Sequence, residues 1–216
     1  MKMKYTCPLV RLLVLALLAF TSIPTRSQTV VGFDDLSETA SGSWLQSGYQ
    51  GLNWNMVLVN NAILGTNSVW RGPTGDYYGM VSLSNVAVLF GNPSITGNSE
   101  IDSPGTNFNF LSAYFTGAFD SNLNIEVQGF NGTNLTYDQT VVTSATNPTL
   151  FTFNYLNIDR LYFNSSGGQP AFGFYNDTGE FIMDDFTFEF IPEPSSLLLT
   201  VLGVVSLWAF VKRRRL

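Results

Sequence analysis

Two pairs of neighbouring aspartates have the clearest chemical potential in the sequence: Asp34 with Asp35, and Asp184 with Asp185. If the strands that carry these pairs lie side by side, four carboxylates meet at one sheet edge. A hard cation such as Ca²⁺ would relieve their mutual repulsion, so structural calcium is the one cofactor the sequence suggests. The interpretation that the sequence favours is that no cofactor is bound and that each pair contains one solvated carboxylate and one that accepts hydrogen bonds from backbone amides. No twelve-residue calcium loop accompanies either pair.

A group of aromatic residues in the first third of the chain is a candidate glycan-binding surface. The candidates stand among glycine, serine and asparagine, and they are Trp44, Tyr49, Tyr77 and Tyr78. Aromatic rings stack on the apolar faces of sugars, and neighbouring amides and carboxylates bond to sugar hydroxyls. In an extended chain, Tyr77 and Tyr78 point to opposite faces, which would expose at least one of them. Trp54 and Trp70 are predicted to belong to the core.

The composition excludes several kinds of active site. The chain of 216 residues has no histidine and one cysteine, Cys7, which excludes Ser-His-Asp and Cys-His catalysis, imidazole-zinc sites and an intramolecular disulfide. Glycoside hydrolysis stays possible, because it requires only two carboxylates, and residues 28–191 contain fifteen acidic residues. The same segment has two basic residues, Arg71 and Arg160, too few to neutralise a nucleic acid.

The charge of the chain divides it into three parts. The formal net charge of −6 combines −13 for residues 28–191 with +4 for residues 1–27 and +3 for residues 192–216. An acidic domain therefore lies between two basic ends, both of which contain apolar runs.

Residues 1–27 are predicted to be a secretory signal peptide. A basic start precedes an uninterrupted apolar run over residues 12–20. This run is too short to cross a hydrocarbon core of about 30 Å, but it suits the central region of a signal peptide. Cleavage after Ser27 or nearer Ser22 would remove Cys7 and leave a mature protein without cysteine.

The last 25 residues consist of three parts in order. Pro192-Glu193-Pro194 comes first, an apolar stretch follows, and the basic tail at 212–215 ends in Arg213, Arg214 and Arg215. The apolar stretch predicts a transmembrane helix over residues 195–211. At 1.5 Å per residue its length is about 25 Å, the lower end of what spans a bilayer. The basic tail would lie on the cytoplasmic side.

This tail resembles the PEP-CTERM sorting signal, also known as the ice-binding protein C-terminal domain. The resemblance implies recognition by exosortase, a membrane-embedded processing enzyme of Gram-negative bacteria that make exopolysaccharide. It also implies a precursor anchored in the inner membrane, cleavage near Pro192-Glu193-Pro194, and delivery to the cell surface or extracellular matrix. The resemblance is confined to the tail, and an ordinary single-pass anchor is the alternative.

Residues 28–191 are predicted to form one all-β domain, an antiparallel β-sandwich of the jelly-roll kind. Helical periodicity is absent, and aromatic or β-branched residues alternate with polar ones. The predicted strands lie at 30–36, 52–59, 78–90, 106–115, 123–130, 136–142, 151–155, 160–164 and 181–190. In the last run, Phe186, Phe188 and Phe190 share one face. Many short strands between turn-forming clusters are typical of sandwiches, and we expect the first and last strands to pair.

The sequence as a whole predicts an exported bacterial protein with a non-catalytic adhesion or glycan-binding domain. Its expected partners are exosortase and an exopolysaccharide or other extracellular glycan. The alternative is a secreted glycan hydrolase that uses a carboxylate pair. A third possibility, adhesion to ice or matrix through a flat Thr/Asn-rich face, lacks the regular threonine repeat that such faces usually have.

Overall fold

The structure is a computed structural model that describes residues 27–68, 72–94, 97–173, 179–191 and 203. The predicted signal peptide up to residue 26, Trp70, Arg71 and the sorting motif with its basic tail lie outside the described residues. The transmembrane helix predicted over 195–211 also lies outside them, apart from Gly203. Within the described part of the chain, no helix has the length and apolar character needed to cross a membrane.

Most of the regular structure is β-strand. In chain order the strands are β1 (Gln28–Val31), β2 (Ser43–Trp44), β3 (Asn53–Asn55), β4 (Val57–Asn61), β5 (Asn85–Phe90), β6 (Glu100–Asp102), β7 (Phe108–Gly117), β8 (Asp120–Asn131), β9 (Asn134–Thr143), β10 (Thr149–Ile158), β11 (Arg160–Pro170) and β12 (Glu180–Phe190). Two short helices, α1 (Ala62–Ser68) and α2 (Gly75–Tyr78), lie between β4 and β5.

The strands form two antiparallel sheets. The larger sheet has the order β10-β7-β12-β5-β4-β2, and β1 also pairs with β12. The smaller sheet has the order β3-β6-β11-β8-β9. The predicted all-β sandwich is therefore confirmed. The first and last strands pair as expected, with Val31 opposite Phe186 and Gln28 opposite Glu189.

Phenylalanine dominates the core between the sheets. Eight phenylalanines are buried to within 2% of complete burial: Phe33, Phe108, Phe110, Phe115, Phe163, Phe181, Phe186 and Phe188. Many of them contact one another, as where the rings of Phe110 and Phe186 stack with centroids 4.9 Å apart. Trp54 joins this core, as predicted, with 4% of its surface exposed. Phe186 and Phe188 share the core face as predicted, and Phe190 packs at its border.

Three predicted strands differ from the observed ones because of local backbone geometry. The run at 30–36 stops at Val31, since Phe33 has a φ of 63°, which ends an extended strand. The run at 52–59 divides at Met56, which has a φ of 54°, so that β3 and β4 belong to different sheets. In the run at 78–90, Tyr78 belongs to α2, and the strand begins only at Asn85.

Strand β12 changes its neighbour halfway along one edge. Its first part, Glu180–Met183, pairs with β5, and Phe186–Glu189 pairs with β1. At the change, Asp185 has a φ of 49°, and the register with β7 shifts after Asp184. This bulge allows Phe181 and Met183 before it, and Phe186 and Phe188 after it, all to face the core.

A second, smaller apolar cluster lies on the outer face of the larger sheet, the face directed away from the smaller sheet. Its buried members include Val86, Val88 and Ile182 from the strands and Phe119 from the loop between β7 and β8. The alternation of β5 shows the two faces: Ala87 and Leu89 belong to the core, and Val86 and Val88 belong to the outer cluster. The larger sheet is thus partly covered on both faces, and its outer face carries the candidate site.

Candidate ligand-binding cleft

Two of the four terminal aspartates hold the loop that leads into β5. The amides of residues 81 and 82 donate to one carboxylate oxygen of Asp184 at 2.8 and 2.9 Å. The amides of residues 83–85 donate to Asp34 at 2.9–3.0 Å. Five successive amides, four in the loop and one at the first residue of β5, are therefore satisfied by two side chains. We call Asp34, Asp184 and residues 81–85 the acidic junction.

The acidic junction matches the second of the two roles predicted for the aspartate pairs. Asp35 is exposed and accepts a hydrogen bond from the hydroxyl of Tyr49, whereas Asp34 binds backbone amides. Asp184 is fully buried, and Asp185 is half-buried. Among the described residues, no group of three or more acidic, histidine or cysteine side chains is arranged to hold a metal ion. Calcium binding at the four aspartates stays a prediction, and the acidic junction accounts for Asp34 and Asp184 without it.

The two junction carboxylates have pKa values that shift in opposite directions. Burial alone would raise the pKa of Asp34, but its hydrogen bonds, the strongest of them from the Asn85 amide, together lower it. Burial of Asp184 is more complete and raises its pKa, although the amides of Ser82, Val81 and Asp185 oppose the shift.

Strand register builds an apolar row on the outer face of the larger sheet. Ile182 lies opposite Val88, Val88 opposite Leu58, and Leu58 opposite Trp44, so the row crosses β12, β5, β4 and β2. Opposed positions of an antiparallel pair share a face, so all four side chains lie on the outer face. The indole of Trp44, 52% exposed, ends the row at the sheet edge.

Polar residues flank this apolar row on both sides. Glu180 lies opposite Phe90 on one side, and Asn60 lies opposite Val86 on the other. Together with Leu58 and Val88 from the row and with neighbouring loops, they form a cleft of about 290 Å³, which we call the outer cleft. Its lining includes Leu58, Asn60, Asp76, Phe90, Phe119 and Glu180. This volume is close to the lower end of the range of about 300–1,000 Å³ found for small-ligand pockets.

Asp76 reaches the outer cleft because the backbone of helix α2 packs closely against residues 117 and 118. The amide of Gly75 donates to the carbonyl of Ala118 at 2.8 Å. A Cβ atom at Gly75 would lie 1.9 Å from the carbonyl oxygen of Gly117, so only glycine permits this contact. Asp76, the next residue, accepts a hydrogen bond of 2.8 Å from the side-chain amide of Asn60.

Glu180 contributes a second acidic side chain to the outer cleft. Burial, together with the negative charges of Asp76 and Asp120, raises its pKa to about 7. The carboxyl group therefore titrates near neutral pH. Asn60 is 4% exposed, and its side-chain oxygen accepts no hydrogen bond from the described residues. The cleft thus combines hydrogen-bond acceptors with an apolar floor.

The structure separates the four aromatic residues predicted to bind glycan. Trp44 lies at the edge of the outer cleft, and its ring centroid is 5.7 Å from that of Phe90, a lining residue. Tyr77 and Tyr78 follow Asp76 on a helix instead of a strand; Tyr77 is 41% exposed. The ring of Tyr78 stacks on Phe172.

Tyr49 is not part of the cleft. Its ring packs against Phe33 and Trp54 at the border of the core, and its hydroxyl is bound to Asp35. Its role in the structure is packing.

A second cleft of about 380 Å³ lies at the end of the smaller sheet, and its polar groups bind one another. Asp102 accepts hydrogen bonds from the amides of Asn53 and Asn55, and Glu100 lies 3.8 Å from Arg160. The guanidinium of Arg160 also lies 4.5 Å above the ring of Phe130. Because these groups are mutually engaged and the lining is mainly polar, the outer cleft is the stronger candidate site.

Comparison with solved structures supports the fold. The chain aligns with a crystal structure of a DUF4465 family protein from Bacteroides caccae at a TM-score of 0.50 and 12% identity, covering 81% of this chain and 97% of that one. The K2 cleaved adhesin domain of Lys-gingipain aligns at 0.41 and 12% identity, over 77% of this chain and all of that one. A carbohydrate-binding module, TmCBM61, crystallised with β-1,4-galactotriose, aligns at 0.33 and 12% identity, over 69% of this chain and 98% of that one.

The alignment with the DUF4465 family protein, at a TM-score of 0.50, supports the β-sandwich fold alone. At 12% identity it does not extend to a ligand or an activity. No protein-family model matches the sequence, and no curated protein is significantly similar to it.

Sequence reasoning did not single out Asn60, Asp76 or Glu180. Nothing in the local sequence of any of the three distinguishes it from a surface residue. The one available signal was glycine on either side of Asp76, at Gly75 and Gly79, which is compatible with close backbone packing. Their convergence depends on β4, α2 and β12 meeting on one face of the sheet.

Proposed function

We propose that this protein is exported and binds extracellular glycan through the outer cleft, without catalysing a reaction. The observation that carries the proposal is the combination of an apolar row, ended by an exposed indole, with the polar groups Asn60 and Glu180 on either side. Sugar rings offer an apolar face and a rim of hydroxyls, and this arrangement is complementary to both.

The fold suits a binding module of the jelly-roll kind. The last eight strands are arranged as β5-β12-β7-β10 in one sheet and β6-β11-β8-β9 in the other. Successive strands from β5 to β8 alternate between the two sheets, as they do in a jelly roll. This framework supports the outer face from below, because the core beneath it is packed with aromatic rings.

Export and sorting are proposed from the two ends of the sequence. The signal-like residues 1–27 and the PEP-CTERM-like residues 192–216 support passage through the inner membrane, processing by exosortase, and release to the cell surface or matrix. Mass spectrometry of the extracellular protein from the producing bacterium tests this proposal. A C-terminus near Pro192-Glu193-Pro194 is expected, and an intact Leu216 would contradict exosortase processing.

Binding is tested with the full chain, purified in mild detergent, on an array of neutral, cationic and anionic oligosaccharides. We expect retention of at least one class and release of no reducing sugar. Replacement Trp44→Ala should weaken the affinity about tenfold, equivalent to about 1.4 kcal/mol, because an exposed stacking surface is lost. The matched control is Tyr162→Ala, which removes a half-buried aromatic from the smaller sheet. Equal effects of the two replacements, or no binding to any class, would contradict the proposal.

Glycan hydrolysis is the second candidate. The observation that favours it is that Glu180 has a pKa of about 7 beside Asp76, since a glycosidase requires one protonated and one ionised carboxyl group. Release of reducing sugar that Glu180→Gln abolishes would establish hydrolysis and overturn the non-catalytic assignment.

A further inference from the structure

We infer that the outer cleft selects glycans with free amino groups, such as units of 2-amino-2-deoxy sugars, over acetylated or anionic ones. The inference rests on the proposed glycan binding and names the ligand class for the same site. Its basis is the charge and the hydrogen-bonding character of the groups that line the cleft.

The polar side chains of the outer cleft include several hydrogen-bond acceptors. Asp76 and Glu180 contribute carboxyl groups, and that of Glu180 is ionised above its pKa of about 7. Asp120 is close enough to act on this titration. The side chain of Asn60 lines the cleft. Its Oδ1 atom is buried and accepts no hydrogen bond from any described residue. A ligand that donates hydrogen bonds and carries positive charge complements this lining.

An ammonium group has this chemistry. It offers three donors and no acceptor, and its hydrogen bonds to carboxylates are charge-assisted. An N-acetyl group in the same position has no charge and adds a carbonyl acceptor. A uronate would bring a further negative charge beside Glu180, where like charges repel.

The charge of the whole domain acts in the same direction. Residues 28–191 carry a formal net charge of −13, and their two basic residues are Arg71 and Arg160. Of these, Arg160 lies in the cleft of the smaller sheet, close to Glu100. A strongly acidic domain attracts cationic ligands and repels anionic ones over a Debye length of about 8–10 Å.

The test uses three trisaccharides and the full chain in mild detergent. Isothermal titration calorimetry compares a β-1,4-linked glucosamine trimer, its N-acetylated form and a galacturonic acid trimer at low and moderate salt. We expect the glucosamine trimer to bind at least about tenfold more tightly than the N-acetylated trimer, and the galacturonic acid trimer to bind least. Comparable affinity for the acetylated trimer, or preference for the anionic one, would overturn the inference.

Matched replacements distinguish recognition in the cleft from long-range attraction. Glu180→Gln should remove most of the preference for the glucosamine trimer, and Asp138→Asn, which removes an exposed charge on β9, should leave it unchanged. Equal losses would show long-range attraction only and overturn the inference. Trp44→Ala serves as a second measurement. It should lower the affinity for the N-acetylated trimer and for the glucosamine trimer by the same factor, which keeps the test valid if Glu180→Gln does not fold.

The failure of this inference can be told apart from the failure of the proposed function. If a neutral or anionic glycan on the array binds in a Trp44-dependent manner and the glucosamine trimer does not, glycan binding stands and the selectivity is wrong. If no glycan of any class binds, both are wrong.

Discussion

Glu180 and Asp184 stand four residues apart on one face of β12, yet their surroundings differ. Burial raises the pKa of both carboxyl groups. At Asp184, backbone amides oppose this shift, and at Glu180 the neighbouring carboxylates increase it. The difference shows that the role of a buried acid depends on which groups the adjacent segments present to it.

The surroundings of Glu180 and Asp184 differ because β12 changes its neighbouring strand along one edge. At Asp184 the neighbouring strand changes from β5 to β1, and the loop entering β5 leaves amides without strand partners. At Glu180 the pairing with β5 is regular, and the side chain turns toward the outer cleft. The acidic junction is thus a structural device, and the outer cleft is a candidate for binding. The following replacements test that contrast.

The largest effect is expected for Asp184→Ala. The replacement leaves the amides of Val81, Ser82 and Asp185, which are partly buried in these hydrogen bonds, without their acceptor. At about 1–3 kcal/mol for each orphaned group, partly relieved by water, the free energy of unfolding should fall by about 3–5 kcal/mol. Urea unfolding measures the loss. If Asp184→Ala does not fold, Asp184→Asn, which keeps one acceptor oxygen, should show a smaller loss. A cost below about 1 kcal/mol would contradict the structural role.

The second effect concerns Glu180→Gln and depends on pH. The pKa of Glu180 rises from 4.5 to about 7 on folding, so the folded state favours the protonated form. The corresponding stability is present below about pH 4.5 and is lost as the pH rises through 7. Relative to wild type, the variant should gain about 2–3 kcal/mol between pH 5 and pH 8. Thermal melts across this range test the gain, with Asp138→Asn as the control. Parallel stability curves for wild type and Glu180→Gln would show that Glu180 does not titrate in this window.

A smaller effect is expected for Asp34→Asn. The asparagine keeps one acceptor oxygen but loses the other, so we expect a cost of about 1–2 kcal/mol at pH 7. Because the pKa of Asp34 is lowered, its contribution is present above the unfolded value of 3.8 and is lost as the pH falls through the folded value. When the pH is lowered below 4 and folding is followed by circular dichroism, the variant should therefore lose stability less steeply than the wild type. The same acid unfolding profile for the variant and the wild type would mean that the charge of Asp34 does not stabilise the loop.

The smallest effect is expected for Tyr49→Phe, which removes the hydroxyl bound to the exposed Asp35. The ring remains packed against Phe33, so the free energy of unfolding should fall by no more than about 1 kcal/mol. Glycan affinity should stay at the wild-type value, since Tyr49 lies away from the outer cleft. A loss of affinity comparable to that of Trp44→Ala would place the ligand elsewhere on the protein.

Much of the fold could be predicted because it depends on local patterns. Period-two alternation identifies most of the long strands, and it correctly places Phe186 and Phe188 on one face. The division at Met56 could not be predicted, since nothing in the run at 52–59 shows that its two halves pair with different sheets. The candidate site was predicted only in part: Trp44 lies at its edge, but Asn60 and Glu180 become neighbours of the apolar row only through strand register.

The sequence by itself determined the acidic character of the domain, its all-β pattern, and the exclusion of histidine- and cysteine-based chemistry. These follow from composition and periodicity, which need no knowledge of distant contacts. The tertiary structure decided which carboxylates receive backbone amides and which face a cleft. That choice depends on strand register and on where β12 changes partner, and both are set by contacts between segments far apart in the chain.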